Sequence, residues 1–329
     1  MPRRSCHGSR LSHPSSHIVI AMSIVSCVAG AAEYPTHVVR YVIPSAPGGN
    51  ADIVGRLMAQ RLTESLGQQV VVDNRAGASN IIGTEAVVKS PPDGHTVLQI
   101  ASAHFTNPSM TKLPYDTVRD LAPISLLSST PLVLMVHPSM PVRAVKDFVA
   151  IARTRPGQLN YSSAGVGTSG HLAGSLFAYM AHVNIVHVPY RGTAQALTDV
   201  LSGDLHFAFP ALTTGLQMVK TGKLRSLATS GLKRSALAPH LPTISEAGVP
   251  GYQASIWNGL LAPAATPQPI IGRLNADVVR ILNTPEVRER FAAAGSDTAP
   301  GTPEEFATFI RNEIAKWATV IKAAGIKSE

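Results

Sequence analysis

The stretch Gly165-Val166-Gly167-Thr168-Ser169-Gly170 is a G-x-G-x-x-G pattern that follows a strand-like run at 159–162 and opens a helix-like run reaching about residue 181. Two readings compete. As a dinucleotide fingerprint it makes the chain a dehydrogenase; as a glycine-rich helix start it offers backbone N–H groups to some anion. The first reading needs a carboxylate about 20 positions on, at the end of the next strand, to hold the ribose hydroxyls. That strand ends His187-Val188-Pro189-Tyr190-Arg191, and the nearest acid, Asp199, falls inside a helical pattern. The helix-start reading is the one the residues support.

The same strand, glycine loop and helix unit occurs earlier. A β-branched run at 38–44 stops at Pro44, turn chemistry fills 45–49, and 51–66 places Ile53, Val54, Leu57, Met58 and Leu62 at helical spacing. A strand at 69–73, a helix at about 82–89, the turn Pro91-Pro92-Asp93-Gly94 and a strand at 96–101 follow. A second series has strands at 132–137, 159–162, 185–188, 205–209 and 224–230, with helices at 142–155, after the glycine loop, and at 193–202. Strands alternating with helices predict an α/β fold of two mixed, mainly parallel sheets with flanking helices on both faces. Beyond a proline-rich loop lie a strand at 255–262 and three helices at about 267–283, 285–294 and 302–324. The last opens with Thr302-Pro303-Glu304-Glu305, a cap residue, a first-turn proline and first-turn acids. These helices have no strands of their own to cover and are expected to pack back on the first lobe. The expected organisation is lobe 1 from 33–130 plus 253–329, with lobe 2, 131–252, inserted through two crossovers that can hinge.

The N-terminus reads as a secretory signal peptide over 1–32: Arg3, Arg4 and Arg10 without acids, an apolar stretch at 18–28, then Ala29-Gly30-Ala31-Ala32, with cleavage after Ala31 or Ala32. Ile24-Val25-Ser26-Cys27 also resembles a lipoprotein processing box, which would lipidate Cys27. No later segment approaches the ~20 apolar residues of a membrane span. Both cysteines, Cys6 and Cys27, lie in the leader, so the exported remainder has no disulfide, thiol nucleophile or cysteine metal site. The 28 basic residues fall to 25 without the leader arginines, against 20 acids, a mild excess of +5. They are scattered singly, which argues against a nucleic-acid partner.

Catalytic patterns are absent. Ser169 and His171 lack the G-x-S-x-G spacing of a nucleophile elbow, and residues two apart on a helix point to different faces. There is no H-E-x-x-H and no phosphate-binding G-x-x-x-x-G-K-[ST], so neither a zinc site nor nucleotide hydrolysis is encoded, and no cofactor is expected. What remains is binding. The loops 44–52 and 162–171 each join a strand to a helix N-terminus, where ligands bind in open α/β sheets, and two such helix starts facing one cleft would suit an anion.

The run from Val42-Ile43-Pro44 through Pro47-Gly48-Gly49 to Asp52, with Asp73-Asn74-Arg75-Ala76-Gly77-Ala78, Pro91-Pro92-Asp93-Gly94-His95-Thr96 and Leu113-Pro114-Tyr115-Asp116, resembles the Bug family of tripartite tricarboxylate transporter receptors. The resemblance continues through Ser162-Ser163-Ala164-Gly165 to His171, Val188-Pro189-Tyr190-Arg191-Gly192, Gly222-Lys223-Leu224-Arg225 and Gly259-Leu260-Leu261-Ala262-Pro263, in order along the chain. It implies a two-lobed periplasmic-binding-protein fold of type II, the Venus-flytrap kind, acting as a monomer that binds a small carboxylate and delivers it to a membrane permease. The alternative is a periplasmic sensory component signalling to a membrane kinase. On this chain the implied ligand-binding positions are Pro47, Gly48, Gly49 and Asp52 in lobe 1, and Ser162, Ser163, Ala164, Gly165, Gly167, Thr168 and His171 in lobe 2.

Some of these have a second reading. Asp52 can answer the helix dipole instead of touching a ligand, and His171 can be an internal hydrogen-bond post. Tyr190 and Arg191 can reach the cleft or brace the hinge. Two departures from the family bear on specificity. Pro210 stands where family members often carry an acid, so a ligand amine lacks its partner; with Phe209 near the cleft, a carboxylate without an amino group is expected. Ala76-Gly77-Ala78-Ser79-Asn80-Ile81 replaces a more glycine-rich version, which alters the pocket wall.

Overall fold

The computed structural model describes residues 34–190 and 192–326. The signal-peptide and Cys27 readings, and Arg191, lie outside the described residues.

β1 (Val39–Ile43) leads into α1 (Asn50–Leu66), followed by β2 (Val70–Asn74), a single 3₁₀ turn (Ala78–Asn80), α2 (Ile81–Val88), β3 (Thr96–Ile100), α3 (Ala103–Met110) and the long β4 (Leu121–Pro131). The chain then builds β5 (Val133–Val136), α4 (Val145–Thr154), β6 (Leu159–Ser163), α5 (Ser169–Ala181), β7 (Ile185–Pro189), α6 (Thr193–Ser202), β8 (Phe207–Ala208), α7 (Leu212–Lys220) and β9 (Arg225–Thr229). It closes with β10 (Ser255–Pro263), α8 (Gln268–Leu282), α9 (Pro285–Ala293), β11 (Asp297–Thr298) and α10 (Pro303–Ala324).

Two sheets result, ordered β11-β4-β10-β3-β1-β2 and β7-β6-β8-β5-β9. The chain passes from the first sheet to the second between β4 and β5 and returns between β9 and β10. Both sheets are mixed, with five antiparallel pairings against four parallel, so the parallel share is smaller than the alternation of strands and helices predicts. The reason lies in the connecting strands: β10 returns between β3 and β4 and runs antiparallel to both, and β5 runs antiparallel to β8 and β9.

β1 lies between β2 and β3, paired in parallel with both, and Tyr41, Val42 and Ile43 are fully buried. α1 lies on this strand through Val54, Met58 and Leu62. Its approach depends on Gly55, where a Cβ would stand 2.4 Å from Ile43 Cδ1. α8 and α9 join the same core through Leu274, Val278 and Phe291, so two of the three C-terminal helices pack against the first sheet. α10 does more. Its Phe306, Ile310, Trp317 and Val320 belong to a core cluster that also holds Phe148, Phe177 and Phe207 of the second half, and its far end runs beside Leu176 and Met180 of α5.

α10 is started by a capping box: Glu305 N–H donates to Thr302 Oγ1 at 3.2 Å and Thr302 N–H donates to Glu305 Oε2 at 2.9 Å. Thr302→Ala is expected to cost about 1 kcal/mol, read as a lowered urea midpoint at unchanged slope.

Candidate functional site

β6 ends in Ser162 and Ser163, both buried, and α5 begins at Ser169; the glycine loop between them carries the donors. The loop is built from within. Ser163 Oγ donates to Gly165 O at 2.9 Å and accepts from Gly165 N–H at 3.1 Å, and Thr168 Oγ1 donates to Gly165 O at 2.7 Å. Gly165 at φ 136° and Gly167 at φ 75° need the conformations glycine alone adopts freely. Gly167 N–H donates to His171 Nδ1 at 3.0 Å, while His187 Nε2 meets Ser163 Oγ at 2.7 Å. The two imidazoles stack 3.8 Å apart beneath the loop. Burial pushes both down to about 4, and for His171 the neighbouring His187 adds to the effect, so both are neutral at pH 7. His171 is therefore an acceptor that holds the loop.

With Thr168 turned back on Gly165, no side chain caps α5, and no acid lies in its first turn. The first-turn N–H groups and the positive end of the helix dipole are left for an outside acceptor. They open on a cavity of about 130 Å³ lined by Ser162, Ser163, Ala164, Thr168, Ser169 and Gly170, with Leu197, Phe209, Pro210 and Ile256 on its apolar side. Ser162 is 1% exposed, and its Oγ has no hydrogen-bond partner among the described residues. A buried hydroxyl left unpaired costs free energy unless a ligand or solvent meets it.

A second cavity, of about 400 Å³, lies on the other side of the loop. Val166, Gly167 and Thr168 form one wall; Ala78, Ser79, Ile81, Thr106, Asn107 and Met110 form the other. No charged side chain among the described residues lines either cavity.

The first-lobe loop is organised differently. Neither cavity is lined by Pro47, Gly48, Gly49 or Asp52. α1 also lacks a side-chain cap, but Asp52 sits in its first turn and faces the loop. The buried carboxylate accepts from Gly48 N–H at 2.9 Å, Arg56 Nε at 2.9 Å and Asn74 Nδ2 at 3.0 Å. Burial alone would raise the Asp52 carboxyl; the hydrogen bonds from Arg56, Gly48 and Asn74 outweigh it and hold it below its ordinary value. Its oxygens are committed to the loop, and its charge already answers the helix end. Behind this loop, Asn258 Nδ2 donates to Asn50 Oδ1 at 2.8 Å and to Ser128 Oγ at 3.0 Å, tying α1 to β10 and β4.

Tyr190 is held on two sides. Its N–H donates to Ser163 O at 3.0 Å and its hydroxyl donates to Asp199. That bond, then burial, pushes the phenol up to about 12. Phe209 lies in the apolar wall of the first cavity, 2% exposed.

Several lining residues escaped the sequence reading. Gly170 sits inside the quoted motif but counts only as helix in a reading by spacing, whereas the Ser169 hydroxyl is one the sequence offers as a donor. Thr193 follows Gly192 at the start of α6, one residue beyond a segment that was singled out. Asn107 left no signal, because its place depends on a helix that periodicity does not reveal; Ser79 falls in the segment 76–81 already read as altering the pocket wall.

At the opposite end of the first sheet, His37, Asp93 and His95 bring ligand atoms within 4.8 Å of one another. The two imidazoles lie face to face, 3.6 Å apart and 6° from parallel. In that stack their lone pairs run side by side instead of converging on one ion, unlike the tetrahedral arrangement of a zinc site.

Residues 54–326 match the family model of the tripartite tricarboxylate transporter family receptor. The chain is 34% identical to protein BugT of Bordetella pertussis over 94% of this chain and 96% of that protein. Among solved structures it is similar to R. palustris Rpa4515 with adipate, at 36% identity and a TM-score of 0.73, covering 89% of this chain and 99% of that one. It is also similar to MatC (Rpa3494) from Rhodopseudomonas palustris with bound malate, at 30% identity and a TM-score of 0.69, covering 88% and 100%. With the two-sheet fold and its glycine-loop cradle, these matches place the chain in the tripartite tricarboxylate transporter receptor family.

Proposed function

We propose that this protein is a periplasmic receptor that captures a small carboxylate between two lobes and hands it to a membrane permease. One observation carries the reading: an uncapped helix N-terminus, without an acid in its first turn, faces a cavity beside the unpaired hydroxyl of Ser162. The carboxylate rests on the α5 N–H groups and on Ser162 and its neighbours, with Ala164 and Thr168 shaping the cradle and Phe209 forming its apolar wall. The adipate and malate of the two similar structures are of this chemical class.

Ser163, Gly165, Gly167, His171 and Tyr190 act by holding the loop. Pro47, Gly48 and Gly49, which line neither cavity, are the first-lobe positions proposed to meet the solute; a Cβ at either glycine would meet nothing within 4 Å, while the Gly48 N–H stays on Asp52. Asp52 shapes that loop without touching the solute. The lobes are 33–130 plus 253–329 and 131–252, a division supported by the change of sheet after β4 and before β10. The protein acts as a monomer and without catalysis, since binding and release need no bond made or broken. No helix among the described residues is long and apolar enough to cross a membrane.

A thermal-shift panel tests the reading. A carboxylate at one hundred times its dissociation constant is expected to stabilise the protein by about 2.7 kcal/mol. No stabilisation by any carboxylate overturns the reading. Preferential stabilisation by amino acids overturns the absence of an amine, which rests on Pro210 at the cavity wall.

A further inference from the structure

Behind the cradle, between α5, β7 and the last turn of α10, lies a third cavity, of about 400 Å³, that shares no lining residue with the anchor cavity. Its polar wall is His171, His187, Tyr161, Ser175, Tyr179 and Asn184, and α10 brings only Ala323 and Ala324. The titratable groups that face the two imidazoles are therefore the phenols of Tyr161, from β6, and Tyr179, from α5. No acid, lysine or arginine among the described residues lines the cavity. The Tyr161 ring lies 5.0 Å from His187 and its hydroxyl donates to His171 O at 3.1 Å, while Tyr190, just past β7, turns its hydroxyl to Asp199.

The bonds made by the stacked pair fix its protons. His171 Nδ1 accepts from Gly167 N–H, so the neutral ring carries its proton on Nε2. Ser163 Oγ gives its proton to Gly165 O, so His187 is the donor to that oxygen and carries its proton on Nε2, with Nδ1 bare. The two rings therefore answer acid differently. His187 can take a proton on Nδ1 and still donate to Ser163. His171 cannot take one and still accept, because an imidazolium has two donors and no acceptor, whichever way the ring is turned. Gly167 N–H is then left facing an N–H, and the new charge stands 3.8 Å from the second imidazole. Gly167 precedes Thr168, which borders the anchor cavity at the start of α5, so the bond that acid removes is one that sets the cradle.

We propose that the His171–His187 stack is an acid-sensitive catch behind the cradle: proton uptake by His171 unfastens Gly167 and lets the receptor release its solute in acid surroundings. The inference rests on the carboxylate-receptor reading. Its direction follows from linkage. A His171 freed from the loop takes up its proton near the ordinary value of 6.5, and one held in the fastened loop only near 4, because burial and then His187 oppose the charge. Between those values the unfastened form binds more protons, so falling pH favours it.

Deuterium exchange of the full-length exported protein, followed in the segment 163–171 at pH 7 and 5.5 and corrected for the intrinsic pH dependence of exchange, reads the fastening without any solute. Wild-type protection is expected to fall by about fivefold over this interval. His171→Asn sets an amide oxygen near the place of Nδ1, accepts without titrating, and is expected to hold its protection equally at both pH values; His171→Gln takes its place if circular dichroism finds it unfolded. His187→Gln keeps a donor toward Ser163 and is expected to retain the acid loss. Calorimetric titration with the strongest carboxylate of the thermal-shift panel reads release: from pH 7 to 5.5 the wild-type affinity is expected to fall about fivefold further than that of the His171 variant. No acid loss of protection in the wild type, or an equal loss in the His171 variant, overturns the catch. Acid-sensitive protection with the same pH dependence of affinity in both proteins overturns its link to release. A panel without a binder overturns the receptor reading, and the exchange result still judges the catch.

Discussion

Gly170→Val is expected to weaken carboxylate binding at least ~100-fold, about 3 kcal/mol, in a protein that still folds. Gly170 is the second residue of α5 and lines the smaller cavity. A Cβ built there lies 3.2 Å from Phe209 O and 3.6 Å from Ser163 Cβ, so the Phe209 carbonyl has to give by a few tenths of an ångström, which the circular dichroism of the variant checks. The rest of a valine side chain has only the 130 Å³ cavity to enter, where it would stand in front of the first-turn N–H groups and the Ser162 hydroxyl. The acceptor of the solute is then kept from the donors that hold it. Calorimetric titration with the strongest carboxylate of the panel, beside circular dichroism of the free protein, measures the effect. A folded Gly170→Val protein with wild-type affinity would falsify the placement of the anchor.

The second large effect is acid lability through His104. This residue of α3 is 4% exposed, and its Nε2 has no partner among the described residues. Burial pushes the imidazole down to about 4, against a smaller upward pull from the backbone of Thr117. The unfolded chain takes up this proton near pH 6.5, the folded protein only near 4. Between those values the unfolded state binds more protons, so stability falls as the pH falls, and the loss is complete below the folded value. The His104 share is about 3 kcal/mol. His171 and His187 are depressed in the same direction and add to the decline. Urea unfolding of the wild type and His104→Leu at several pH values from 7 to 4 isolates the share, because the other groups are common to both. Parallel stability curves for the two proteins would remove His104 from the account.

The alternation of strands and helices was readable wherever an apolar stripe met a turn residue. α6 matches its expected range at both ends, and β1, α1, β2 and α2 differ by a residue at an end. Besides the 3₁₀ turn and the two-residue β11, three elements escaped, each for a physical reason. α3 is short, carries Pro108, and buries His104, Thr106 and Asn107, polar residues that periodicity treats as surface. β4 holds Pro123 and the buried Ser125 and Ser128; its burial comes from lying between β10 and β11, a long-range fact. α7 carries its hydrophobic residues in a stretch read as a link between strands. The site divides along the same line. The second-lobe loop was legible because glycine, serine and threonine at a strand-to-helix junction have direct backbone consequences. The segment 76–81 was legible as a departure in the pocket wall but its left-handed turn was not, since positive φ at alanine, serine and asparagine is held by Asn107 and Thr84 from elsewhere in the fold.

In the proposed site the cradle at the start of α5 holds its anion with peptide dipoles and hydroxyls, and no lysine, arginine or histidine among the described residues lines it. Such a site exchanges no proton on loading near neutral pH, and it has no mobile side-chain cation for dissolved salt to screen. Its grip is set by fixed geometry. A receptor built this way can meet wide swings of ionic strength outside the cell with little change in its hold, and it tells one anion from another by where the oxygens lie more than by how much charge they carry.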